Sequence, residues 1–182
     1  MKTTTLSKIE NFKPARDMWL ELLFGLRKFE SDDEPLPYSK ILEICGLQFA
    51  LWTTRTETDF RWVKELALSF ARHIQYLIAD PRSIRFLDVA ERFLRGESSE
   101  EELEEARKDA YAALIADVPP VSYAAAACAY SAAYYAASTS ASDSSSGATE
   151  TVSHARDSHD EAHVYYGDER SWQEDEFRRV VG

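Results

Sequence analysis

The chain is poor in residues that interrupt helices. Six glycines and six prolines in 182 residues leave few turns, which suits long helices. The two cysteines, Cys45 and Cys128, do not make a disulfide framework, so a reducing compartment is expected. The opening MKTTTLSKIENF has no apolar core of signal-peptide length. No uninterrupted apolar run reaches membrane-spanning length. These absences lead to the expectation of a soluble cytoplasmic protein without a membrane partner. Also missing are a GxGxxG or other phosphate-cradling glycine loop, a GxSxG elbow and an HExxH pair. No stretch alternates as a strand would, and no internal repeat is exact.

Positive charge is missing from one half. Residues 1–96 hold 15 Lys and Arg against 14 Asp and Glu; residues 97–182 hold 6 against 18. The second half thus sums to −12 against +1 for the first, and carries all of the net negative charge of −11. Such a surface repels nucleic acid and attracts basic partners. Its plainest role is to keep the protein in solution.

What the chain has in excess is alanine. The stretch VSYAAAACAYSAAYYAASTSA (121–141) sets tyrosines into an alanine array. Alanine has the best helix propensity and leaves almost no side chain between packed helices. Tyr123, Tyr130 and Tyr134 are spaced by seven and four, which puts their rings on one helix face. The opposite face is smooth alanine, where another backbone can pack closely. This is the expected central helix of a bundle.

Around it the periodicity predicts further helices. Residues 1–13 are expected to be irregular. Pro14 opens a helix from Ala15 to about Phe29, with Met18, Trp19, Leu22, Leu23 and Leu26 as its stripe. The polar loop SDDEPLP (31–37) precedes two short pieces, Tyr38 to Cys45 and Leu47 to about Thr54, separated by Gly46 as a left-handed cap. Phe60, Val63, Ala67, Phe70, Ile74 and Leu77 mark a central helix, with Trp62, Leu66, Ser69, His73 and Tyr76 on a second face. Asp80-Pro81 caps and starts the next, stopped at Gly96. Ser98 or Ser99, with Glu101 or Glu102 three residues on, is a capping-box pattern opening SSEEELEEARKDAYAALIAD. Residues 138–147, STSASDSSSG, are expected to be a flexible connection. A last pattern steps through Ala148, Val152, Ala155, His159, Ala162 and Tyr166, with a kink at Gly167-Asp168. Trp172, Phe177 and Val180 then dock the C-terminal turns. The expected fold is all-α: a single helical bundle of about seven helices around the alanine-rich helix. An N-terminal helical segment (1–35) would join a domain of residues 36–182 in one compact unit.

Few constellations point to chemistry. His154, His159 and His163 cluster late, and His159 and His163 are i, i+4, as two imidazoles sharing a metal would be. Solvated or carboxylate-paired histidines are the plainer expectation, and no metal or cofactor is assigned. His73, among apolar residues, is expected to be a hydrogen-bonded core histidine. Cys45 and Cys128 read as small packing residues. Tyr134 and Tyr135 either fill the bundle or form a binding surface, since tyrosine suits interfaces.

A resemblance can be placed on particular segments. LPYSKILEICGLQFALWTTR, then FARHIQYLIADPRSIRFLDVAERFLRGESSEEELEEARKDAYAAL, then the alanine array, then SWQEDEFRRVV, are similar in order to alanine-rich immunity proteins of bacteria and their phages. The resemblance spans roughly residues 36–182. It departs in the array, which has tyrosine where the group tends to have tryptophan, and at Ser138–Gly147. It implies a stoichiometric inhibitor rather than an enzyme. The implied partner is a basic protein or nucleoprotein complex, a toxin nuclease or a defence effector of the CRISPR kind. An acidic helical surface would occupy its phosphate-binding cleft as a nucleic-acid mimic, without itself touching nucleic acid. The residues expected to bind are Glu100, Glu101, Glu104, Glu105, Asp157, Asp160, Glu161, Asp168 and Glu169, with Tyr134 and Tyr135. Two other expectations stand beside this one. The alanine and tyrosine helix would mediate self-association as a homo-oligomer, or His154, His159 and His163 would build a small metal-dependent enzyme.

Overall fold

Local chemistry sets the helix ends in the computed structural model, which describes residues 1–116, 119–162 and 169–182, and of 158–162 the backbone alone. Thr5 opens α1 (Leu6–Asn11), its side chain accepting from the Lys8 N–H at 3.2 Å. α2 (Arg16–Leu26) ends on Arg27, whose φ of 56° is left-handed. α3 (Tyr38–Thr53) is interrupted at Gly46, where φ 77° and ψ 174° break the spiral. A 3₁₀ turn, Thr54–Thr56, leads towards α4 (Arg61–His73). Asp80 caps α5 (Pro81–Arg95), with Pro81 in the first turn and Gly96 in the left-handed C-cap. Ser99 caps α6 (Glu100–Leu114) by accepting from the Glu102 N–H at 3.2 Å. α7 (Pro120–Tyr134) continues into a 3₁₀ turn, Tyr135–Ala137. α8 (Ala141–Ala162) and α9 (Glu169–Val181) complete the chain.

The fold is all-α, with three departures from the expected bundle of about seven helices. The described residues hold nine α-helices where about seven are expected. Residues 1–13 are ordered rather than irregular. Thr3–Thr4 (β1) pairs antiparallel with Leu36–Pro37 (β2), Thr3 opposite Pro37, and α1 buries Leu6 and Ile9. The serine-rich stretch is the third departure: from Ala141 onward it is helix, not a flexible connection.

The physical reason for the last lies in the alanine helix. Ala124 to Ala129, Ala132 and Ala133 of α7 are buried, and α8 is its most extensive neighbour. A row of methyl groups can be covered only by a helix that comes close, and α8 presents small residues. Ser144, Ser145, Ala148, Thr151, Val152 and Ala155, spaced by three and four, are all buried. Cys128 of α7 donates through its thiol to the Thr151 carbonyl of α8 at 3.4 Å. Ser145 Oγ donates to the carbonyls of Leu51 and Trp52 at the end of α3, at 2.7 and 3.1 Å. Lys64 Nζ of α4 donates to the carbonyls of Ala136 and Ser138, where α7 ends. A cation there also meets the negative end of the helix dipole.

One core runs through the molecule. Leu6, Ile9, Leu22 and Leu23 of the first 35 residues share it with Tyr38, Phe70, Phe86 and Phe177. No described helix is long and apolar enough to cross a membrane.

Candidate partner-binding cleft

α6 turns two faces outward and inward by simple periodicity. Leu103, Ala106, Ala110 and Ala113 are buried against α5 and α7. Glu100, Glu104, Arg107 and Tyr111, spaced by four, three and four, form a stripe on its other side. The tyrosines of α7 run alongside that stripe. Tyr130 lies 6.0 Å from Tyr111 and 5.9 Å from Tyr134, ring centre to ring centre, and Tyr134 meets Tyr135 edge-on at 5.1 Å. Phe86 supports Tyr130 from α5 at 5.7 Å. The expected tyrosine face is therefore the α6 side of α7, and the alanine face is already taken by α8.

Where the stripe meets the α7–α8 junction, a cleft of about 870 Å³ opens. Its floor is Phe86, Leu103 and Ala133; its rim is Glu100, Glu104, Asp143, Tyr134, Tyr135 and the exposed Ala137. Tyr134 is 48% exposed. Arg107 sits between the two kinds of rim residue. It makes a bidentate pair with Glu104, at 2.6 and 2.7 Å, and donates to the Tyr130 hydroxyl at 3.1 Å. That guanidinium holds the Glu104 carboxyl below the usual range, and Glu104 in turn raises Arg107. Tyr135 donates to Glu150 at 3.4 Å, and burial is the main cause that raises its phenol. Gly147 lets the Tyr135 ring pack. A Cβ at 147 would stand 2.5 Å from that ring.

The cleft thus brings together four of the residues expected from sequence: Glu100, Glu104, Tyr134 and Tyr135. Glu101 is exposed in the first turn of α6, its carboxyl lowered by backbone and Ser99 hydrogen bonds, but it does not line the cleft. Glu105 faces α5, 4.0 Å from Arg85. Asp157 is exposed on α8, away from the cleft lining. Asp168 and the side chains of Asp160 and Glu161 lie outside the described residues. Glu169 is placed quite differently from the acidic surface expected of it. It is 5% exposed, accepts from Gln173 at 2.9 Å, and stands 3.3 Å from His73 Nε2. His73 stacks flat on Trp172, ring centres 3.6 Å apart, so it belongs to a partly open α4–α9 contact rather than to the deep core.

Asp143 and Arg107 are cleft residues that the sequence reading missed. The signal for Asp143 is Ser140, whose hydroxyl accepts from the Asp143 N–H at 3.0 Å. Ser140-Ala-Ser-Asp143 is a helix start of the capping-box kind, hidden in a serine-rich stretch. For the histidine cluster, His154 is half-buried on α8, while His163 and the side chain of His159 lie outside the described residues. Among the described residues no group of three or more His, Cys, Asp or Glu is placed to hold a metal ion.

Chemically the cleft offers carboxylates around an aromatic wall. It is suited to hold cationic side chains by charge and by ring faces. No family model, no curated protein and no solved structure matches the chain significantly.

Proposed function

We propose that this chain is an acidic, all-helical stoichiometric inhibitor of the cytoplasm, not an enzyme, that binds and blocks a basic protein which handles nucleic acid. The observation that carries this reading is the cleft in which Glu100, Glu104 and Asp143 surround the exposed ring of Tyr134. Lysines and arginines that normally contact phosphate would meet carboxylates there, and Tyr134, covered only on binding, would anchor the contact. The charge of residues 97–182, 18 acidic against 6 basic, supports it by steering a basic partner to this half. The resemblance to alanine-rich immunity proteins points the same way, to a toxin nuclease or a defence effector as the target.

The test is a tagged pull-down from the native bacterial host, followed by binding and inhibition with the purified partner. E100K/E104K/D143K should abolish binding of a basic, nucleic-acid-handling partner. Y134A should weaken it by about 2 kcal/mol, as truncation of an interface tyrosine does. A triple variant that binds and inhibits as well as the parent protein would end this account.

A further inference from the structure

The second exposed aromatic surface lies far from the cleft in the chain, on α2. Its inward face buries Leu22 and Leu23 against the core and leans on α3. Its outward face carries Leu20 and Phe24, one turn apart, 52% and 86% exposed. Phe29, just past the helix, is wholly exposed. Large apolar side chains so placed mark a contact surface.

The charges around them say what kind. Arg16 and Asp17 precede Leu20 on α2, Glu21 follows it, and Arg27 ends the helix. None of these four has an ion pair or side-chain hydrogen bond among the described residues. The contrast with the other described arginines is sharp. Each of those contacts a carboxylate, a carbonyl, an amide or a ring, as Arg55 does on Trp52 and Arg82 on Asp80. Two cations and two anions thus ring an apolar pair, with zero net charge. Such a ring is self-complementary, which a twofold interface requires, since each copy presents the same patch to the other. It also lies in the half of the chain where 15 basic residues offset 14 acidic ones. Two copies, each carrying −11, would repel through the acidic half but not through this face.

We infer that α2 is a self-association face. Two copies pack Leu20 and Phe24 against each other, and Arg16 and Arg27 of each reach Asp17 and Glu21 of the other.

Sedimentation equilibrium over a range of protein concentrations tests this without the inhibited partner. The parent protein should sediment as a dimer. F24E should raise the dimer dissociation constant about tenfold or more while the circular dichroism spectrum and melting stay unchanged. R16E/R27E and D17K/E21K should each be monomeric alone, because one rim becomes wholly acidic and the other wholly basic, and should form a heterodimer when mixed. A parent protein that stays monomeric at the highest attainable concentration would overturn the inference, as would an F24E variant that dimerises like the parent. Charge variants that fail to pair on mixing would overturn the rim contacts, and with them the assignment of a second copy as the occupant.

Discussion

At the scale of single residues, Gly147 shows how a helix interior tolerates its weakest member. Glycine costs about 1 kcal/mol relative to alanine inside a helix, so Gly147→Ala would stabilise an isolated α8. Here the added methyl meets Tyr135 at its Cβ, Cγ and Cδ2, all within 2.6 Å, atoms at the root of the side chain that cannot swing aside. Overpacking of this kind costs about 1–3 kcal/mol. We expect G147A to lower the melting temperature and to weaken partner binding, because Tyr135 leaves the cleft rim. A variant with a raised melting point would show that the ring relocates freely. The thiols are a quieter residue-level feature. Burial pushes Cys45 up to about 12 and raises Cys128 well above its ordinary value, so both are protonated at neutral pH and serve as packing groups. That role was legible from sequence. The burial of Glu169 was not: a glutamate in the acidic, polar run before Trp172 reads as surface until α9 is seen to lay it against His73.

At the scale of helices, most boundaries were legible because they rest on local chemistry. Asp80-Pro81, Gly96 and Ser99 act where capping rules place them, whereas Gly46 interrupts α3 with a positive φ but a ψ of 174°, outside the left-handed cap expected of it. α1 and the first turns of α8 were missed because they carry few apolar residues. α1 buries only Leu6 and Ile9, and α8 begins with serines that pack through their small size rather than through hydrophobicity. Ser145 is the most informative of these. Its hydroxyl adds a donor from α8 to carbonyls at the end of α3 that Thr54 and Arg55 also bond. Ser145→Ala keeps the size and removes that donor. It should cost about 1 kcal/mol in urea unfolding, the usual net worth of such a bond. A loss near zero would mean that water or another donor replaces it.

At the scale of the whole molecule, charge governs behaviour. The complex with a basic partner should weaken as ionic strength rises, through slower association. Among the cleft carboxylates, Glu104 is held below the ordinary value of 4.5 by its hydrogen bonds to Arg107. A depressed carboxyl stays charged as the solution is acidified. The contribution of Glu104 to binding should therefore outlast acidification to pH 4.5 and fall only as pH drops through its lowered value, which titration of affinity against pH in the parent protein and in E104Q would read. Loss of affinity between pH 7 and 6 would implicate a histidine instead. The division between a near-neutral first half and an acidic second half was visible in composition. Which acidic residues share a cleft was not, because that depends on how α8 returns across the end of α7.

The seam between α7 and α8 has one more consequence. It is made mainly of alanine, serine, glycine and threonine, with Cys128 and Val152, side chains with few rotamers or none. Bringing them together freezes little side-chain freedom, where a seam of leucine and methionine gives up about 0.5–2 kcal/mol per residue in that freedom. Two backbones at close range, rather than interlocked branches, are what this pair of helices contributes. Its strength is tied to steric fit more than to oiliness, so it should fade less on cooling than the phenylalanine-lined remainder of the core.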